Sequence, residues 1–190
     1  MNDKVEESIT PTSLNYFKDG VFYIYGVFDE SIAKEIIPNL IKEVDKQSGI
    51  KNGKIIIYID SPGGYAHFLY SMLALIEKAK KNGVIVETHA YSYAYSCASM
   101  LACSGSKGHR YISFLSQNLP HLGAGSTGIV KNDVELERSS NRIQRHFNTV
   151  RDLYKKYANI PDLENIIKFD DFFIYGQQII DYGLADIMVD

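Results

Sequence analysis

Three short stretches hold the residues best suited to chemistry. The first is Ser61-Pro62-Gly63-Gly64, which follows the apolar run 54–60 (KIIIYID). A strand that delivers the chain to proline and two glycines leaves bare backbone amides at the carboxyl end of a parallel sheet, where ligands bind. Such amides can hold an oxyanion. SPGG alone reads as a tight turn, yet a second glycine ahead of a helix is costly unless something must approach the backbone closely. The second stretch is AYSYAYSCASM, in which Ser96 lies among small residues at an expected strand-to-helix junction. That junction presents a hydroxyl nucleophile where a helix N-terminus favours negative charge. An N-capping serine is the plainer reading of the same position, and Ser92 and Ser99 compete with it locally. No G-x-S-x-G elbow is present, so the hydrolases built on that elbow are not supported.

The third stretch is LPHLGAG, where His121 stands between Pro120 and a glycine run. A lone histidine is more often structural than catalytic. Its loop setting beside glycines raises His121 as a general base above His67 and His89, in apolar periodic segments, and above His109 and His146, among charges. Asp170 and Asp171 precede Phe172-Phe173 and read either as a helix cap or as a carboxylate that fixes an imidazole tautomer. Cys97 is a packing residue on this reading, because apolar surroundings raise a thiol pKa. Neither it, Cys103 nor any histidine falls at metal-ligand spacing with a second pair, so no metal is expected.

The elements that must position these residues alternate. Residues 21–27 (VFYIYGV) read as a strand, and Asp29 or Ser31 can cap a helix through IAKEIIPNLIKEVDK, which Pro38 should kink. Residues 54–60 read as a strand buried on both faces, followed by a helix over AHFLYSMLALIEKAKKNG, a strand at 84–87 and a short helix at 94–102. Such alternation predicts an α/β fold with parallel pairing and right-handed crossovers. A long helix at about 131–157 carries Ile143, Phe147, Val150, Tyr154 and Tyr157 at coiled-coil-like spacing, which suits a projecting interface helix. The tail reads as a short helix that breaks at Gly183, then a strand.

The 190 residues suit one domain, 21–190, behind a flexible arm at 1–20. Hydrophobic residues at 45% and charged residues at 23% exclude wholesale disorder and a coiled-coil rod. A net charge of −3 gives no footprint for nucleic acid or anionic lipid. Two cysteines make no disulfide framework, and there is neither an apolar leader pattern nor a run long enough to span a bilayer. A soluble cytoplasmic protein is expected.

KIIIYIDSPGG, YSCASMLACSGSKGHRY, the histidine ten residues after Tyr111, and the ending DYGLAD together resemble the ClpP family of self-compartmentalised serine proteases, within the ClpP/crotonase superfamily. The likeness runs from about residue 22 to 190. It implies an α/β spiral core of repeated β-β-α units with a projecting handle helix. Counting from GSKGHRY and from DYGLAD matches the catalytic residues to Ser96, His121 and Asp171, with Asp170 the fallback. The resemblance further implies an oxyanion hole from the amides of Gly64 and Cys97, with Gly63 shaping the turn and Gly123, Ala124 and Gly125 pairing with substrate as an added strand. It implies a serine endopeptidase without cofactor, acting on unfolded polypeptide inside a homo-oligomeric ring of stacked heptamers fed by an ATP-dependent AAA+ unfoldase. Departures are visible: the family reads A-S-M-G around its serine where this chain has Tyr95-Ser96-Cys97-Ala98, so Tyr95 is expected to narrow the site, and H-Q-P is replaced after His121 by Leu122-Gly123. Two other classes stay open, a catalytically inactive structural subunit of a mixed ring and a crotonase-type acyl-CoA enzyme.

Overall fold

Runs of β-branched and aromatic residues become the strands of two sheets. The computed structural model describes residues 14–123, 131–168 and 172–189. The larger sheet has six strands, in spatial order β1 (Asn15–Lys18), β2 (Val21–Ile24), β3 (Lys54–Ile59), β4 (Ile85–Ala90), β6 (Arg110–Ser113) and β9 (Ile187–Val189). All its pairings are parallel except that of β1 with β2. A smaller sheet joins β5 (Tyr93–Tyr95), β7 (Gln117–Leu119) and β8 (Ile174–Tyr175).

Part of the expected arm is structured. Residues 1–13 lie outside the described residues, but Asn15–Lys18 pairs with Val21–Ile24 across a two-residue turn at Asp19 and Gly20, both at positive φ. Cross-strand rings hold the hairpin: Tyr16 stacks on Tyr23 at 4.7 Å, and Phe17 meets Phe22 at 4.6 Å. Charge and glycine in the turn hid this strand from a periodicity reading.

The strand at β3 is not buried on both faces, as its sequence suggested. Ile55, Ile57 and Ile59 are buried against α1 (Ile37–Gln47) and α2 (Ala66–Lys81), whose Leu40, Val44, Met72 and Ile76 complete the core. Its other face is half-buried and carries Tyr58 in a ladder of rings with Tyr23, His89 and Tyr111. Pro38 does not kink a helix either. The turn before it, Ile32–Ile36, winds as a π-helix, and α1 starts at Ile37, so Pro38 falls in the first turn, where no amide donor is needed.

The helix expected at 94–102 is shorter. Tyr93–Tyr95 is a strand held by its pairing with β7 and by the bridge of Ala94 to Ser61, and α3 (Cys97–Cys103) begins only after Ser96. Every residue of α3 is buried. The long helix is α4 (Asp133–Tyr157), 25 residues, reaching about 37 Å at 1.5 Å per residue. Asn132 caps it through a 2.9 Å bond from the Glu135 amide. Val150 and Tyr154 are the buried residues of α4 and face the core of the chain itself. The apolar seam therefore serves intramolecular packing at its C-terminal end, while Val134 and Leu136 near the other end are exposed. After α5 (Leu163–Ile166), the short helix α6 (Gln177–Asp181) breaks at Gly183 and leads into β9, as the tail predicts.

Candidate active site

Ser96 occupies the single residue between β5 and α3, with φ +56° and ψ −121°. A side chain in that region costs of order 1–3 kcal/mol and persists only where its surroundings over-determine it. They do here: the Ser96 amide donates to the Leu119 carbonyl at 2.9 Å, and the Ser96 carbonyl accepts from the Met100 amide at 3.2 Å. The half-buried hydroxyl thus stands at the head of a buried helix.

The double glycine is explained by two close approaches. A Cβ on Gly63, at φ +88°, would stand 2.7 Å from the Tyr95 carbonyl and 2.8 Å from Ser96 Cβ. One on Gly64, at φ +147°, would stand 2.6 Å from the Phe28 carbonyl. The bridge between Phe28 and Gly64 is made by the Gly63 carbonyl, accepting from Phe28 at 2.7 Å, and by the Tyr65 amide, donating to Phe28 at 2.8 Å. The Gly64 amide takes no part in that bridge. Cys97, the first residue of α3, likewise has an amide with no acceptor a turn earlier in its own helix. Its thiol donates to the Gly64 carbonyl at 3.2 Å, tying the two segments together. Burial pushes that thiol up, so it stays protonated.

His121 follows β7 by way of Pro120 and lines the same cavity as Ser96, a cleft of about 630 Å³ to which Gly64, Cys97 and Gly123 also contribute. Its backbone amide bonds the hydroxyl of Tyr154 on α4. That hydroxyl donates to Ser99 Oγ at 3.1 Å, and Ser99 donates to Asn118 Oδ1 at 2.6 Å. A buried polar chain thus links the long helix to both elements that carry the candidate nucleophile and base. It also sorts the serines. Ser99 is fully buried and committed to this chain, and Ser92 is exposed ahead of β5, away from the cavity; Ser96 lines it.

Asp170 and Asp171 lie outside the described residues, as do Ala124 and Gly125. Tyr95 does not narrow the cleft. Its hydroxyl donates to Gln117 Oε1 at 2.7 Å and its ring meets Phe173 edge-on, and it is not among the residues that line the cavity. Sequence reasoning passed over His146, which also lines the cavity, with Nδ1 2.8 Å from the Tyr70 hydroxyl. The signal was there: His146 is three residues after Ile143 and four before Val150, on the inward face of α4. Among the described residues no cluster of three or more His, Cys, Asp or Glu is arranged to hold a metal, and no helix is long and apolar enough to cross a membrane.

The two motifs GSKGHRY and DYGLAD are bonded to each other. Arg110 Nε donates to Asp186 at 2.7 Å, a second bond from its Nη2 completes a fork, and Nη1 donates to the carbonyls of Cys103, Tyr157 and Gly183. One side chain thus fastens the ends of α3 and α4 to the tail. A family model described as Clp protease matches residues 4–190. The chain belongs to the Clp protease family. Proteins described as ATP-dependent Clp protease proteolytic subunits are similar to it over about nine-tenths of its length. That of Dehalococcoides mccartyi is 27% identical over 171 residues, 89% of this chain and 81% of the relative. Subunit 1 of Chlamydia felis is 29% identical over 182 residues, 90% and 81% respectively. The Ligilactobacillus salivarius protein is 29% identical over 171 residues, 89% and 82%. The fold is accordingly the ClpP-like α/β spiral, with α4 as its projecting handle.

Proposed function

We propose that this member of the Clp protease family is a serine endopeptidase in which Ser96 is the nucleophile and His121 the general base. The observation that carries the reading is Ser96 itself, held at positive φ at the head of α3 and lining one cavity with His121 and Gly64. His121 takes the Ser96 proton as Oγ attacks the scissile carbonyl carbon, and the carbonyl oxygen becomes the oxyanion. The amides of Gly64 and Cys97 receive it, which is where two donors outside the local backbone bonding help most. Collapse breaks the C–N bond, His121 returns the proton to the leaving amine, and an acyl-Ser96 remains. Water, deprotonated by His121, then hydrolyses that ester and frees Ser96. The segment 123–125 holds substrate as an added strand, giving affinity through backbone bonds with little demand on sequence. Asp171 orients His121 and stabilises its imidazolium.

On this proposal the chain assembles into rings of stacked heptamers in the cytoplasm, and an AAA+ unfoldase threads unfolded polypeptide to sites inside; membership of the Clp protease family supports the reading. The long exposed stretch of α4 around Val134 and Leu136 favours such assembly, since apolar side chains at 57% and 47% exposure invite a partner surface. The triad is tested by comparing two carboxylate variants in a peptidase assay, with assembly checked by sizing. Asp171→Asn should lower turnover by roughly 10⁴ with the fold intact, the scale for a neutralised triad aspartate, and Asp170→Asn should cost little. A loss confined to Asp170→Asn moves the carboxylate by one residue; near-native rates in both remove it from the triad.

A further inference from the structure

The cavity that holds Ser96 is lined by residues of both α2 and α4, two of which form a polar pair in a mostly apolar lining. Leu69, Met100, Val150 and Leu153 wall it, and Tyr70 from α2 meets His146 from α4 with the hydroxyl 2.8 Å from Nδ1. Burial raises the Tyr70 phenol above its ordinary range, and the nearby Cys97 adds to the effect. Where that hydroxyl donates to Nδ1, a neutral imidazole carries its own proton on Nε2. That nitrogen lies 3.6 Å from where a Cβ on Gly123 would stand, so the donor faces the segment assigned to substrate. Arg142, one turn earlier on α4, adds an exposed guanidinium to the same lining.

Tyr70 and Met100 each stand about one turn in from the first residue of their helices, and both line the cavity with Ser96.

We propose that Tyr70 and His146 determine specificity in this cavity, selecting on the acyl side of the scissile bond a long side chain that ends in a carbonyl oxygen, glutamine or glutamate, over an aliphatic one. The proposal rests on the serine-peptidase reading above. An acceptor pairs with the His146 Nε2 proton, and a carboxylate gains further from Arg142. An aliphatic side chain of the same length desolvates that N–H without replacing its partner. Sites that hydrogen-bond a substrate group reject analogues lacking it far more strongly than apolar pockets reject a change of size.

The test uses the full chain and peptidyl diphenyl phosphonates, identical except for a leucine, glutamine or glutamate side chain beside phosphorus, with Ser96 modification followed by mass. Glutamine should outpace leucine by roughly 10- to 100-fold. His146→Leu should bring the ratio to one or below, His146→Gln, which restores an N–H donor, should recover part of it, and Tyr70→Phe should weaken it. A fluorophosphonate without a peptide reports in parallel whether Ser96 is reactive in each variant. If it fails to label Ser96 in the wild type, the peptidase reading and this proposal both fall. If it labels Ser96 but the wild-type probe ratio is one or below, or stays high in His146→Leu, the specificity proposal alone is overturned. Should His146→Leu not fold, an unmoved ratio in both His146→Gln and Tyr70→Phe overturns it equally.

Discussion

Gly63 and Ser96 touch so closely that a Cβ added to the glycine would stand 2.8 Å from that of the serine. The turn that carries the proposed oxyanion amide of Gly64 and the junction that carries the proposed nucleophile are thus fitted to each other, and the fit depends on a missing side chain.

Gly63→Ala should therefore damage the site more than the fold. The new methyl also meets the Tyr95 carbonyl at 2.7 Å and sits at φ +88°, so backbone must move. The expected cost is about 1–3 kcal/mol of stability, with the rate of Ser96 modification by fluorophosphonate down at least 100-fold, the scale for losing one oxyanion donor. Thermal unfolding and labelling rates, measured together, check this. A variant that labels at the native rate would show that the contact does not shape the site.

The handle helix separates two kinds of apolar residue. Val150 is 8% exposed and belongs to the chain's own core, so Val150→Asp should unfold the protein. Val134 and Leu136 are exposed, and the double variant Val134→Asp, Leu136→Asp should keep the monomer's fold, as judged by circular dichroism, while splitting the assembled particle in light scattering. Native particle mass in that variant would place the interface elsewhere.

Much of this organisation was legible in the sequence because it is carried by local patterns: KIIIYID, the helix that ends in basic residues and Gly83, and the 25-residue handle all fall where periodicity puts them. Motif spacing also singled out Ser96 and His121, and the structure brings both to one cavity. What escaped depends on tertiary partners. Nothing local distinguishes a seam that meets a neighbouring subunit from one that meets its own core, so Val150 and Tyr154 were read the wrong way. The strand at Tyr93–Tyr95 forms because Ala94 bridges Ser61, a contact 33 residues away. The chain from Tyr154 through Ser99 to Asn118 joins three elements that no window spans.

Acid should loosen the tail first. Burial pushes the Asp186 carboxyl up, but the hydrogen bonds and charge of Arg110, together with the Gly108 amide, outweigh it and hold the group below the usual carboxylate range. A carboxylate depressed in the folded state contributes stability that is present above its unfolded value, about 3.9, and lost as pH falls through the lower folded one. In Asp186→Asn the unfolding temperature should be lower at pH 7 and decline less than wild type between pH 5 and pH 2. Parallel curves for the two proteins would mean that the Arg110 fork adds nothing to stability.

Activation of Ser96 by His121 is checked by mass mapping after fluorophosphonate treatment. The assembled wild-type chain should carry one adduct per subunit, on Ser96, and His121→Ala should reduce its rate of formation by at least 100-fold. Adduct on Ser92 or Ser99, no adduct on an assembled particle, or an unchanged rate without His121 would mean that Ser96 is not a nucleophile activated by His121.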